Sequence, residues 1–116
     1  MNFSVIASIL LALAVALGAF GAHGLKGRLD AYSMGIWEKA VFYHFIHAIG
    51  LLVVPVLVRE GASLVCWLLI AGILLFSGSL YALALSGVTV LGAVTPLGGV
   101  SFIAAWVLLA FRLAKS

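Results

Sequence analysis

The sequence has few charged residues, and this shortage decides the class of protein. Charged residues make up 8% of the 116 residues, whereas hydrophobic residues make up 66%. A soluble domain is roughly one-quarter charged, so six basic and three acidic side chains are too few to cover a compact chain of this length in water. We therefore expect most of the surface to face hydrocarbon, as in an integral membrane protein.

Several chemical signatures are also missing. The single cysteine, Cys66, lies inside an apolar run, so no intrachain disulfide can form and the simplest interpretation is a small packed side chain. The sequence contains no nucleophile–base motif, no phosphate-cradling glycine loop and no protease or deaminase signature. It also has no basic stripe with interleaved aromatics that could track a nucleic acid. We expect a protein that is not an enzyme, carries no cofactor and binds no nucleic acid.

Long apolar runs are what the chain has in abundance. A helix needs about 20 residues to cross about 30 Å of hydrocarbon. The connections between such runs are short, so helices that are neighbours in sequence should pack antiparallel. We predict an all-α membrane protein, an antiparallel bundle of four transmembrane helices in which residues 1–116 form one domain. The predicted spans are about 3–22, 37–58, 63–86 and 96–114.

The charged residues near the span ends predict an orientation. One side of the membrane would carry Arg59, Arg112 and Lys115, and the other side would carry Lys26 and Arg28, with Lys39 as a further candidate for that side. Cytoplasmic loops are enriched in Lys and Arg. The balance favours cytoplasmic positions for both termini.

Two features mark the borders of the spans. Trp37, Trp67 and Trp106 lie near predicted span ends, where an indole ring commonly anchors a helix at the membrane interface. Residues 23–36 combine apolar residues at helical spacing with charges and glycines, which suits a segment lying in the interface plane. As an alternative, Asp30 caps a helix that begins there and continues into the second span.

Small residues recur at every fourth position on three of the spans. Apolar burial does not drive helix association inside lipid, so close backbone packing and interhelical hydrogen bonds must do so. Such stripes favour a tight bundle and self-association into a homo-oligomer. The stripes are Ser8-Ala12-Ala16, Ala14-Gly18-Ala22, Gly78-Ala82-Ser86 and Ser101-Ala105.

Polar and ionisable residues inside the spans are the candidates for function, because they are costly in hydrocarbon. Tyr43 and His47 are four residues apart, as are Ser77 and Tyr81, so each pair shares a helix face. His23 ends the first span. Three interpretations stay open at this point: a buried network that fixes helix register, a site for a proton, ion or small amphiphile, and ligation of a metal or haem by histidines.

Four blocks of residues in order resemble a known family. Residues 18–26, Gly-Ala-Phe-Gly-Ala-His-Gly-Leu-Lys, resemble the opening signature of the YgdD-like family of small bacterial inner-membrane proteins, which is related to animal transmembrane protein 256. The resemblance covers essentially the whole chain. The other three blocks are Tyr43-x-x-x-His47, residues 75–81 (Leu-Phe-Ser-Gly-Ser-Leu-Tyr), and residues 95–99 (Thr-Pro-Leu-Gly-Gly) with Ser101, Phe102 and Trp106.

The resemblance implies a multi-pass protein of the bacterial inner membrane with four helices and no established activity. It also implies that one polar cluster contains His23, Tyr43, His47, Ser77 and Tyr81, without His44, Glu38 or Lys39. Our leading hypothesis is a non-enzymatic membrane scaffold or interaction protein, with membrane lipid and a second copy of the chain as partners. The alternative is a conduit or binding site for a proton, ion or small amphiphile at this cluster. A weaker alternative is haem or metal binding through His23 and His47.

Overall fold

The computed structural model describes residues 2–115, and it confirms the predicted all-α bundle. Four helical segments within these residues are long and apolar enough to cross a membrane. The third of them, Ala62–Ser86, is continuous but contains a π-helical turn, and a 3₁₀ turn precedes the last helix. The elements are α1 (Phe3–His23), α2 (Ala31–Leu57), α3 (Ala62–Gly72), a π turn (Ile73–Ser77), α4 (Gly78–Ser86), a 3₁₀ turn (Thr89–Ala93) and α5 (Thr95–Lys115).

The helices are arranged around α2 and the third segment. Helix α2 packs against α1 on one side and against α3, the π turn and α4 on the other, while α5 packs mainly against α3 and the π turn. Helices α2 and α5 contact each other at only a few residues. This arrangement leaves a shallow space between α2 and α5, and the third segment lies at the bottom of it.

The outer surface of the bundle is apolar. Ile9 of α1, Val56 of α2 and Ile103 of α5 are 62%, 75% and 65% exposed. Side chains of this kind lower the free energy only when hydrocarbon surrounds them. The structure therefore agrees with a bundle whose outer faces contact lipid tails.

Helix α2 begins earlier than the predicted span at residue 37. The Asp30 carboxylate accepts a hydrogen bond from the Ser33 backbone N–H at 2.7 Å, which is the N-cap arrangement that the sequence offered as an alternative. The same Ser33 backbone bond, followed by a hydrogen bond from the Ser33 side chain, holds the pKa of Asp30 below its ordinary value. Six residues of α2 thus precede Trp37, and the helix extends beyond the apolar run that the sequence marks.

Trp37 is buried against α1 and is not exposed at the outer surface, where a side chain that anchors a helix in lipid headgroups would be. Its side chain is 2% exposed, and its indole N–H donates a hydrogen bond of 2.9 Å to the Leu17 carbonyl of α1. Gly21 makes room for the ring, because a Cβ atom at that position would lie 2.5 Å from the indole nitrogen. Trp67 and Trp106 are 44% and 37% exposed.

Candidate functional site

The five residues of the predicted polar cluster occupy three different places. Ser77 and Tyr81 face α2 from the π turn and α4. Tyr43 and His47 border the space between α2 and α5. His23, the last residue of α1, is exposed and forms no hydrogen bond with the other four. The structure therefore pairs four of these residues but does not gather all five into one site.

Ser77 and Tyr81, the first pair, form hydrogen bonds between the third segment and α2. The Ser77 hydroxyl is fully buried and donates a hydrogen bond of 2.8 Å to the Ala40 carbonyl. One helical turn further along α2, His44 Nδ1 lies 2.8 Å from the Tyr81 hydroxyl. These two contacts join the helices at successive turns, and each uses a hydroxyl of the predicted cluster in helix packing.

His44 is one of the three residues that the family resemblance left out, and it contacts Tyr81 of the predicted cluster. It is 2% exposed, and its Nε2 is buried without a hydrogen bond among the described residues. The backbone of Leu10 in α1 is the polar group beside it. The sequence carried a usable signal for this residue, since Ala40 and His44 are spaced four apart just as Ser77 and Tyr81 are.

The second pair borders a groove of about 450 Å³ between α2 and α5. Aromatic rings from three elements form its walls, and the exposed side chains of Ile46 and Ile103 lie at its rim, where they face lipid. The groove is therefore open toward the hydrocarbon rather than toward water. Its lining residues are Tyr43, Ile46, His47, Phe76, Gly99, Phe102, Ile103 and Trp106.

The rings in this groove stack on one another. The centroids of His47 and Phe102 are 3.4 Å apart with 13° between the ring planes. Trp106 lies 5.7 Å from His47, and Tyr43 lies 4.5 Å from Phe76. Stacked and tilted rings of this kind contribute about 0.5–1.5 kcal/mol per pair beyond their buried area. Flat aromatic rings thus form the walls of the groove.

A hydrogen bond fixes the tautomer of His47. Its Nδ1 lies 2.7 Å from the Tyr43 backbone carbonyl, which can only accept, so Nδ1 must carry the proton. In a neutral imidazole the other nitrogen, Nε2, then holds a lone pair. Nothing in residues 2–115 donates a hydrogen bond to this atom. The groove therefore contains an acceptor without a partner.

The π turn and a glycine bring the walls together. A Cβ atom at Gly98 would lie 2.3 Å from the Phe76 backbone nitrogen, so α5 approaches the π turn more closely than any other residue would allow. A π turn adds one residue to a helical turn, and it is frequently found at functional sites. Here it turns Phe76 toward the groove while the next residue, Ser77, bonds to α2.

The proposed joint ligation of a metal or haem by His23 and His47 does not fit this geometry. His23 lies at the end of the bundle where α2 begins, and His47 lies 16 residues along α2, which corresponds to about 24 Å of helix. Ligands of one ion lie within about 2–2.6 Å of it. The described residues also include no group of three or more His, Cys, Asp or Glu side chains that could hold a metal ion.

Comparisons with known proteins place the chain in a family. The UPF0382 membrane protein YwdK of Bacillus subtilis is 44% identical over 118 residues, covering 97% of this chain and 96% of that protein. A UPF0382 membrane protein of Staphylococcus epidermidis is 45% identical over 116 residues, with 97% and 95% covered. No solved structure matches the chain. The model of the family described as "Protein of unknown function (DUF423)" matches residues 17–99, and the chain belongs to this family of membrane proteins.

Proposed function

We propose that this protein is a non-catalytic binding protein of the membrane, and that it takes up a small lipid-soluble molecule in the α2–α5 groove. The observation that carries the proposal is the unpartnered Nε2 atom of His47 among aromatic walls that open to hydrocarbon. An acceptor in this position selects a molecule that can donate a hydrogen bond, and flat walls select a flat ring. The ligand class is therefore a ring-bearing amphiphile with a hydroxyl donor, such as a phenol or quinol.

Physical chemistry favours binding over conduction. A proton path needs polar groups that continue from one side of the membrane to the other. The polar side chains of this bundle form separate contacts instead, with His44 and Tyr81 on one side of α2 and His47 facing the groove on another. In contrast, a single hydrogen bond inside the membrane stabilises an interaction by about 0.6–2 kcal/mol, and no water competes for it there. This corresponds to an affinity gain of about 3- to 30-fold.

The test uses two probes that differ only in the donor. The first probe is a brominated phenol with an alkyl chain, and the second is its methyl ether. Bromine quenches tryptophan fluorescence on contact, and Trp106 lies in the groove wall. With the protein in lipid nanodiscs, we expect saturable quenching by the phenol at a concentration about 3- to 30-fold lower than by the ether.

Two variants separate this site from general partitioning into the lipid. In Trp106→Phe the saturable part of the quenching should disappear while slow collisional quenching of Trp67 remains, since Trp67 is exposed elsewhere on the bundle. In His47→Phe the groove keeps a ring, and the phenol should lose its advantage over the ether. Equal quenching by both probes in the unchanged protein would refute the proposal without reference to any variant.

A second candidate function is the membrane scaffold that self-associates. It is favoured by the outer face of α1, where Ser8, Ala12 and Ala16 are all exposed. Small residues at this spacing let a second helix approach closely. Light scattering in detergent should give a mass above that of one chain, and Ala12→Leu should reduce it to a monomer. A monomer in the unchanged protein would exclude this candidate.

Three finer assignments belong to the same proposal. The four sequence blocks support kinship with the YgdD-like proteins and transmembrane protein 256. The bacterial relatives, which are named membrane proteins, support a location in the bacterial cell (inner) membrane. The basic residues Arg59, Arg112 and Lys115 support cytoplasmic termini. A reporter fused after Ser116 that is active only outside the cell would contradict this orientation.

A further inference from the structure

A second cavity lies at the end of the bundle that carries the α2–α3 turn and the last turn of α5. Its volume is about 530 Å³. Three basic side chains and one acidic side chain line it, which leaves an excess of two positive charges. The lining residues are Leu57, Val58, Arg59, Glu60, Arg112 and Lys115.

The Arg112 guanidinium lies against the α2–α3 turn. Gly61 has a φ of +80°, a backbone conformation that suits glycine, and the Arg112 guanidinium covers it. A Cβ atom at Gly61 would lie 2.9 Å from Arg112 Nη1. The Arg112 Nε–H is buried and has no hydrogen-bond acceptor in the part of the chain that the structure describes. A guanidinium also carries four planar N–H donors on its two Nη atoms, and these suit an oxyanion that enters the cavity.

The surroundings of this cavity suit a lipid. Leu57 forms part of the wall, and the neighbouring faces of α2 and α5 expose Val56 and Phe111, which are 75% and 62% exposed. The cavity lies where the transmembrane helices end, at the depth of phospholipid headgroups. Positive charge therefore sits at headgroup level directly above apolar surface that acyl chains can cover.

We propose that this cavity binds the phosphodiester group of an anionic phospholipid, with Arg112 as the principal contact and Arg59 and Lys115 as supporting charges. The guanidinium donates to phosphate oxygens, and the acyl chains lie along α2 and α5. Glu60 in the same cavity disfavours a phosphate with more than one negative charge, because the carboxylate repels it. A monoanionic phosphodiester such as that of phosphatidylglycerol fits this balance best. The site is separate from the α2–α5 groove and does not depend on its function.

The experiment is native mass spectrometry of the full chain, delipidated in a neutral detergent and titrated with phosphatidylglycerol or phosphatidylcholine. We expect tighter binding of phosphatidylglycerol, and we expect Arg112→Gln to weaken it about five- to tenfold, from the contribution of one basic residue near an anionic headgroup. Arg112→Lys should recover part of the loss, because it restores the charge but not the planar donors.

A matched control is Arg28→Gln, which removes one positive charge at the opposite end of the bundle and should leave phosphatidylglycerol binding unchanged. Lys115→Gln is a milder second variant at the site, so the proposal stays testable if Arg112→Gln alters the fold. Competition by millimolar inorganic phosphate distinguishes a lipid from a soluble anion. The proposal is overturned if phosphatidylcholine binds equally well, if Arg28→Gln weakens binding as much as the site variants, or if inorganic phosphate binds while the lipid does not.

Discussion

The contact between α5 and the π turn yields the sharpest stability prediction. Gly98 is buried, and a Cβ atom there would lie 2.3, 2.7 and 2.8 Å from Phe76 N, Cβ and Cα. Two of these atoms belong to the backbone and cannot rotate away. Ordinary contact begins at 3.4 Å, so Gly98→Ala must push the two segments apart by about 1 Å.

The magnitude follows from two opposing terms. Forcing an extra methyl group into a packed interface costs about 1–3 kcal/mol. Replacing glycine by alanine inside a helix gains about 1 kcal/mol. These two terms leave a net loss of about 0–2 kcal/mol. The displacement of α5 also separates the rings of Phe76 and Phe102, so we expect Gly98→Ala to lower the free energy of unfolding by about 1–2 kcal/mol, the upper part of that range.

The neighbouring residue supplies the control. A Cβ atom at Gly99 would meet only the edge of the Phe76 ring, at 3.8 Å, which is ordinary contact. Gly99→Ala should therefore be neutral or stabilising by up to about 1 kcal/mol. The assay is reversible unfolding in bicelles, with the free energy of unfolding compared among the unchanged protein and the two variants. Equal stability of the two variants would refute the close approach of α5 to the π turn.

Two further predictions concern hydrogen bonds. Ser77→Ala removes the buried donor to α2 and should reduce the free energy of unfolding in bicelles by about 0.6–1.7 kcal/mol. Ser86→Ala removes an exposed hydroxyl that donates to the Ala82 carbonyl and accepts from the Val88 backbone N–H, so it should have a smaller effect. A larger loss of stability in Ser86→Ala than in Ser77→Ala would contradict a stabilising hydrogen bond between Ser77 and α2. The pKa of Asp30 is lowered in the folded state. The ionised cap therefore contributes its full stabilisation above the ordinary pKa of 3.8, and this stabilisation is lost as the pH falls through the lower folded-state pKa. The amide NMR signal of Ser33 should follow that titration and should stay constant in Asp30→Asn; a midpoint above 3.8 would contradict the cap.

Composition and the order of apolar residues together predicted the bundle. Too few charges for a water-soluble surface indicate a membrane protein, and four long apolar runs indicate four spans. The sequence was less informative about where the helices start. The first six residues of α2 precede the apolar run, and hydrophobicity does not reveal them; the Asp30 cap does. Hydrophobicity marks the residues that lie in hydrocarbon, whereas backbone hydrogen bonds and their caps determine where a helix begins.

The candidate site was predictable only in pairs. Spacing of four residues correctly joined Tyr43 with His47, but assigning the pairs to one cluster requires the rotation of each helix about its axis, which spacing does not supply. The π turn changes that rotation in the middle of the third segment, and no residue type marks it. Trp37 shows the same difficulty, since its burial depends on Gly21 of another helix.

The central claim is that His47 presents an unprotonated Nε2 to molecules dissolved in the membrane. The most direct measurement is ¹⁵N NMR of histidine-labelled protein in bicelles, with His47 assigned by the loss of its signals in His47→Phe. We predict a neutral ring with the proton on Nδ1, and an Nε2 resonance that shifts on addition of an alkyl phenol but not of its methyl ether. A proton on Nε2, or an Nε2 resonance that responds to neither probe, would contradict the account.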